Sequence, residues 1–131
     1  MLYLVYVMRP TAKARSDLKA FWKWVRERED WFYDSLHMTH DPRWLVRTIG
    51  TDVHAVEHSV SFADEAAWGA YRQEVHRRSQ DPDWEKRRVE QDLWWEIIEA
   101  SLLNDAPLPP VSDRSSSPEH IHRSSTGQGE T

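Results

Sequence analysis

Trp94 and Trp95 stand next to each other in the apolar run Leu93-Trp94-Trp95-Glu96-Ile97-Ile98. Neighbouring side chains on a strand point to opposite faces, so this pair, read as strand, sends one indole to each side of a sheet. A two-layer domain needs only one apolar sheet face. A sheet that is oily on both sides needs a second cover. In a chain of 131 residues the expected cover is another copy of the chain. The opening run agrees: Leu2, Leu4, Tyr6 and Met8 alternate with Tyr3, Val5 and Val7, the pattern of a strand buried on both faces.

All eight tryptophans lie before residue 105. Residues 106–131 hold four of the seven prolines, six serines and only four apolar residues. Such a segment buries too little surface to offset its ordering entropy and reads as a disordered Pro/Ser-rich tail, leaving 1–105 as the folded domain. The net charge is −5, and the basic clusters Arg77-Arg78 and Lys86-Arg87-Arg88 are interleaved with acids, so a nucleic-acid partner is not expected. There is no cysteine, which excludes disulfides, thiolate nucleophiles and thiolate-bound metals. The apolar opening run lacks a leading positive charge, ends at Arg9-Pro10, and is too short for a signal peptide or a membrane span. A cytoplasmic protein with no membrane partner is the expectation.

The chain reads as strand, helix, strand, strand, helix, strand. The first strand covers 2–8. A helix capped at Ser16 carries Leu18, Phe21, Trp22, Val25, Phe32 and Leu36 on one face, with Trp24 and Trp31 forming a second stripe that needs its own partner. Strands at 43–50 and 53–62 flank a hairpin at Gly50-Thr51-Asp52. The second helix starts at Ala63-Asp64-Glu65 and buries Ala67, Trp68, Tyr71 and Val75, with Gly69 expected at a close approach. Asp81-Pro82 restarts it, and 93–103 is the last strand. This is the βαββαβ order of a ferredoxin-like α+β fold, a four-stranded antiparallel sheet with helices on one face. A bare apolar second face of several hundred Å² exceeds what monomers expose. Pairing two such faces contributes on the order of ten kcal/mol at about 25 cal/mol per Å², so a homodimer is expected.

The helix opening Asp64-Glu65-Ala66-Ala67-Trp68 after a strand ending in Phe62, the Asp81-Pro82-Asp83-Trp84 restart and the closing Trp95-Glu96-Ile97-Ile98 resemble the dimeric α+β barrel superfamily. The likeness is greatest to small bacterial NIPSNAP-like proteins and covers about residues 1–104. The resemblance implies a dimeric α+β barrel with a ligand pocket between sheet and helices or within the barrel. Relatives in that superfamily include cofactor-independent monooxygenases, muconolactone-isomerase-like enzymes, polyketide cyclases and haem-degrading enzymes. No catalytic motif is shared across them, so the chemistry stays open.

The candidate site residues come from the strands. His54, Val56, His58, Val60 and Phe62 share one face of the third strand. A buried imidazole that titrates near neutrality suits general acid–base work, so His58, with His54, is the catalytic candidate. The alternative for both is a hydrogen-bonded core or interface histidine. Arg47 and Glu57, on adjacent strands, are candidates to pair and orient a ligand, or to fix the sheet's register. Tyr6, Trp68 and Tyr71 are candidate walls of an aromatic pocket. Histidines four apart on a strand are separated by about 13 Å, too far to share an ion held at about 2.1 Å per ligand, so no metal site is expected. His76 on the second helix is the one candidate haem ligand, and surface exposure is the competing reading. No Gly-rich phosphate loop or serine nucleophile elbow is present, and no cofactor is expected. Two functions follow. One is a small cofactor-independent enzyme (proton transfer, isomerisation, cyclisation or oxygenation) acting on an apolar, aromatic or polyketide-like metabolite. The other is a non-catalytic, dimeric ligand-binding or interaction module of NIPSNAP-like type.

Overall fold

The computed structural model describes residues 1–111; of the tail read at 106–131, residues 112–131 lie outside the described residues. In order, the elements are β1 (Leu2–Pro10), α1 (Ala12–Ser16), α2 (Leu18–Phe32), β2 (His40–Val46), β3 (Val56–Phe62), α3 (Glu65–Arg78), α4 (Pro82–Val89), a 3₁₀ turn (Glu90–Leu93) and β4 (Trp95–Asn104).

Local chemistry sets the boundaries. β1 ends at Pro10, which has no N–H to offer a ladder. Thr11 then caps the short α1, its hydroxyl accepting from the Ala14 N–H at 3.3 Å. Asp17, not Ser16, caps α2, accepting from the Ala20 N–H at 3.1 Å. Asp64 caps α3 in the same way, at 2.8 Å from the Ala67 nitrogen. Asp81 caps α4 with Pro82 in the first turn, where its missing N–H is no loss.

The strands form one antiparallel sheet in the order β2-β3-β1-β4, with the helices on one face. Alternate residues of β1 and β3 meet them: Leu2, Leu4, Val60 and Phe62 pack with Phe32 and Tyr71, while Met8 and Val56 pack with Phe21, Val25 and Trp95. The expected dimeric α+β barrel is corrected here. Among the described residues β2 and β4 are the edge strands, no pairing joins them, and the sheet is open rather than closed into a barrel.

The tryptophan pair does not straddle the sheet. Trp94 closes the 3₁₀ turn with φ −108° and ψ −33°, a helical ψ that cancels the strand alternation, and β4 begins only at Trp95. Trp94 stacks on Trp24 at 5.7 Å and 18°, and Trp95 meets the same indole edge-on at 4.9 Å. Both therefore lie on the helix side. The second stripe of α2 is thus covered within the chain, since Trp31 also finds a partner in Trp84, edge-on at 5.9 Å.

The other sheet face is mixed. Tyr3, Val5 and Val7 run along its middle, flanked on β3 by Ser61, Ser59 and Glu57 and on β4 by Leu103, Ser101 and Glu99. Every cross-strand row of that face thus carries a hydroxyl or a carboxylate. The expectation of a continuous apolar back does not hold.

Candidate functional site: a cleft between sheet and helices

The helix-facing sides of β1 and β3 supply Tyr6, Met8 and His58, and β4 adds Trp95 and Ile97. Above them, α2 contributes Arg28 and Phe32, and α3 contributes Trp68 and Tyr71. Between the two layers lies a cleft of about 560 Å³, its rim carrying Arg72, His76, Glu85 and Arg88. That volume is in the range that accepts small organic ligands. Burial raises the hydroxyl pKa of Tyr6 and Tyr71, so both remain neutral donors.

His58 is buried, at 3% exposure, and both ring nitrogens are engaged. Nδ1 donates to the Arg43 carbonyl at 2.8 Å, which leaves Nε2 to accept from the Tyr33 hydroxyl at 2.6 Å. Its ring lies flat on Trp44 at 3.7 Å and 11°. Burial, helped by the nearby Arg28 charge, pushes the imidazole pKa down to about 4. The ring is neutral at pH 7 with neither nitrogen free to exchange a proton with a ligand.

Four of the sequence candidates, Tyr6, His58, Trp68 and Tyr71, meet at the cleft. The other three do not. Arg47 donates from Nε to Glu57 at 2.9 Å and from another guanidinium nitrogen to the Thr51 carbonyl at 2.9 Å. Glu57 shares the cross-strand row of Val7, so this pair belongs to the back face. His54 lies in the β2–β3 loop with a left-handed φ of 79°, exposed, beside a second cavity of about 410 Å³ bordered by Arg9, Phe21 and Trp22. The hairpin is wider than expected because Gly50, Asp52 and His54 all take positive φ, which ends the ladder at Val56 instead of Val53.

Arg28 is the cleft residue that the sequence reading missed. It is 8% exposed, and its guanidinium lies 4.4 Å over Phe32 and 5.2 Å over Trp95. One nitrogen donates to Gln91 Oε1 at 3.1 Å. Nε has no hydrogen-bond partner among the described residues, and no carboxylate there pairs with this side chain. Burial lowers its pKa. Its sequence signal is its place on the apolar stripe Phe21-Val25-Arg28-Phe32, spaced four, three and four, where a charge is out of pattern.

The expectation of an enzyme is corrected by this geometry. His58, the expected catalytic residue, is held by the Arg43 carbonyl and the Tyr33 hydroxyl as a structural donor and acceptor, and His54, expected beside it, lies outside the cleft. Among the described residues no group of three or more His, Asp or Glu side chains could hold a metal ion. None of their helices is long and apolar enough to cross a membrane.

Fold and site together define an open-sheet α+β protein with an aromatic cleft under its helices. No family model matches the chain, and no curated protein does. Solved structures do match. A protein from Agrobacterium tumefaciens is 19% identical with a TM-score of 0.59, over 85% of this chain and 99% of its own. An uncharacterized NIPSNAP domain protein from Burkholderia xenovorans is 18% identical with a TM-score of 0.58, over 85% and 100%. HapK from Hahella chejuensis is 16% identical with a TM-score of 0.54, over 86% and 99%. At these identities the likeness establishes the fold alone.

Proposed function

We propose that this chain is a small-molecule-binding module that holds an apolar, aromatic ligand in the cleft without converting it. The observation that carries the reading is the cleft of about 560 Å³ walled by Tyr6, Phe32, Trp68, Tyr71 and Trp95. Aromatic faces at this density favour flat rings, through both burial and stacking. The locked, neutral His58 supports binding over turnover. Calorimetric titration with 1-naphthamide, a neutral two-ring probe, tests the reading. One-to-one saturable binding is expected, weakened by about tenfold in Trp68→Ala as one stacking wall is lost. Failure of both 1-naphthamide and its carboxylate counterpart 1-naphthoate to bind, or a Trp68→Ala affinity equal to that of the unaltered chain, refutes it.

A homodimer is a second part of the reading, supported by the β4 edge of the sheet. Ile97, Ile98 and Leu102 of β4 are 46%, 38% and 44% exposed, on an edge whose ladder groups are unpaired on one side among the described residues. An antiparallel edge is self-complementary about a two-fold axis, so a second copy is the fitting partner. Sedimentation of the full chain is expected to give a dimer that Ile98→Lys converts to monomer; a monomer at all concentrations refutes the pairing.

A further inference from the structure

Within the cleft, the polar groups are not balanced. Three arginines line it, Arg28, Arg72 and Arg88, against one carboxylate, Glu85. Glu85 is already used, because Arg88 donates to it from Nε at 2.9 Å and through a second, shorter contact. Arg72 lies at the rim, 5.8 Å over Trp68. The cleft is therefore electropositive in a chain whose net charge is −5. Positive potential concentrated in a low-dielectric hollow attracts anions.

Arg28 sharpens the point. An arginine taken out of water ordinarily has a carboxylate or phosphate beside it. Here the guanidinium faces two aromatic rings, a neutral amide and the Tyr33 hydroxyl, none of them anionic. Trp95 stands 5.2 Å from it, and the Trp95 indole nitrogen also lacks an acceptor among the described residues. Two buried donors, Arg28 Nε and Trp95 Nε1, are thus unpartnered on residues that line one cleft. Buried donors without acceptors are costly. Of the other polar groups at the floor, the hydroxyls of Tyr6 and Tyr71 are donors whose deprotonation burial opposes, and Tyr33 and His58 are bonded to each other.

We propose that the ligand of this cleft is an aromatic carboxylate, its ring against the stacked pair Trp68 and Tyr71 and its carboxylate on Arg28. The inference rests on the binding reading above and specifies the chemical class of the ligand. A planar guanidinium matches two carboxylate oxygens in a way that an ammonium does not, so the arginine identity matters as well as the charge.

The test compares two isosteric probes by calorimetry on the full chain, 1-naphthoate and 1-naphthamide, which share the ring system and differ in charge. The unaltered chain is expected to bind the carboxylate at least about tenfold more tightly than the amide, the scale of one charge-assisted hydrogen-bond set. Arg28→Met is expected to abolish that preference, and Arg28→Lys to restore part of it. Equal affinity of the unaltered chain for both probes overturns this inference and leaves the cleft reading standing. An unchanged preference in a folded Arg28→Met variant does the same. Failure of both probes to bind overturns the cleft reading itself. The comparison of probes on the unaltered chain needs no variant, so it decides the matter even if Arg28→Met does not fold.

Discussion

The Tyr33 hydroxyl donates to Nε2 of His58 across 2.6 Å, tying the C-terminal cap of α2 to the middle strand pair of the sheet. The bond requires a neutral imidazole, since Nδ1 already donates to the Arg43 carbonyl. Burial keeps it neutral, with a folded-state pKa of about 4 against about 6.5 in an unfolded chain. Between those values the unfolded chain takes up a proton that the folded one refuses. Stability therefore falls as pH drops through this window, by about 1.4 kcal/mol per unit. Urea denaturation at pH 7 and pH 5 is expected to differ by about 2 kcal/mol from this group. In His58→Phe the difference should shrink by that amount; an unchanged slope would mean that the imidazole is protonated in the fold.

Trp24 and Trp94 give a direct test of where the tryptophan pair points. Their rings are stacked at 5.7 Å, so truncating both should cost less than the sum of the single truncations. A coupling of about 0.5–1.5 kcal/mol is expected from a double-mutant cycle. Trp95, 4% exposed, should cost about 3–5 kcal/mol when replaced by alanine. A zero coupling between Trp24 and Trp94 would place the two indoles on different sides of the sheet.

The element order was legible because it rests on local signals: alternation in 2–8, the α2 stripe, and the Asp64 and Asp81-Pro82 starts. What misled was the reading of Trp94 as strand. Periodicity cannot tell the last residue of a 3₁₀ turn from the first of a strand when both are tryptophan, and the two-faced sheet followed from that one ψ angle. The same limit applies to His54, whose alternation with Val56 and His58 is genuine in sequence but is broken by a left-handed φ. At the cleft, Tyr6, Trp68 and Tyr71 were readable as aromatic walls. Arg28 was not, because a helical stripe is recognised by its apolar members Phe21, Val25 and Phe32 and a lone charge among them adds no periodic signal.

Gly69 was expected to mark a close approach within α3's packing. A methyl group built on its α-carbon meets nothing within 4 Å, and its φ is not in the left-handed region. The glycine therefore carries only its entropic cost in mid-helix. Gly69→Ala is expected to stabilise the fold by about 0.5–1 kcal/mol, read as a higher urea midpoint with an unchanged slope. A loss of stability would show that the helix packs more tightly there than the open space around Gly69 implies.

Arg28 sets function against stability. Its guanidinium is buried, paired with an amide and two rings instead of a carboxylate, and its Nε is unpartnered. Desolvating a charge without an opposite charge is unfavourable, and apolar replacements of similar length at such sites are often stabilising. Methionine follows the arginine stem and keeps contact with Phe32 and Trp95, though it leaves Gln91 Oε1 without its donor. The balance predicts a gain of about 1–3 kcal/mol for Arg28→Met in the unliganded chain. If the anion reading holds, an aromatic carboxylate should raise the melting temperature of the unaltered chain toward that of the variant, and raise the variant's own by less. A destabilised Arg28→Met would mean that the guanidinium is satisfied by the fold itself, and a site satisfied without a ligand has no need of an anion.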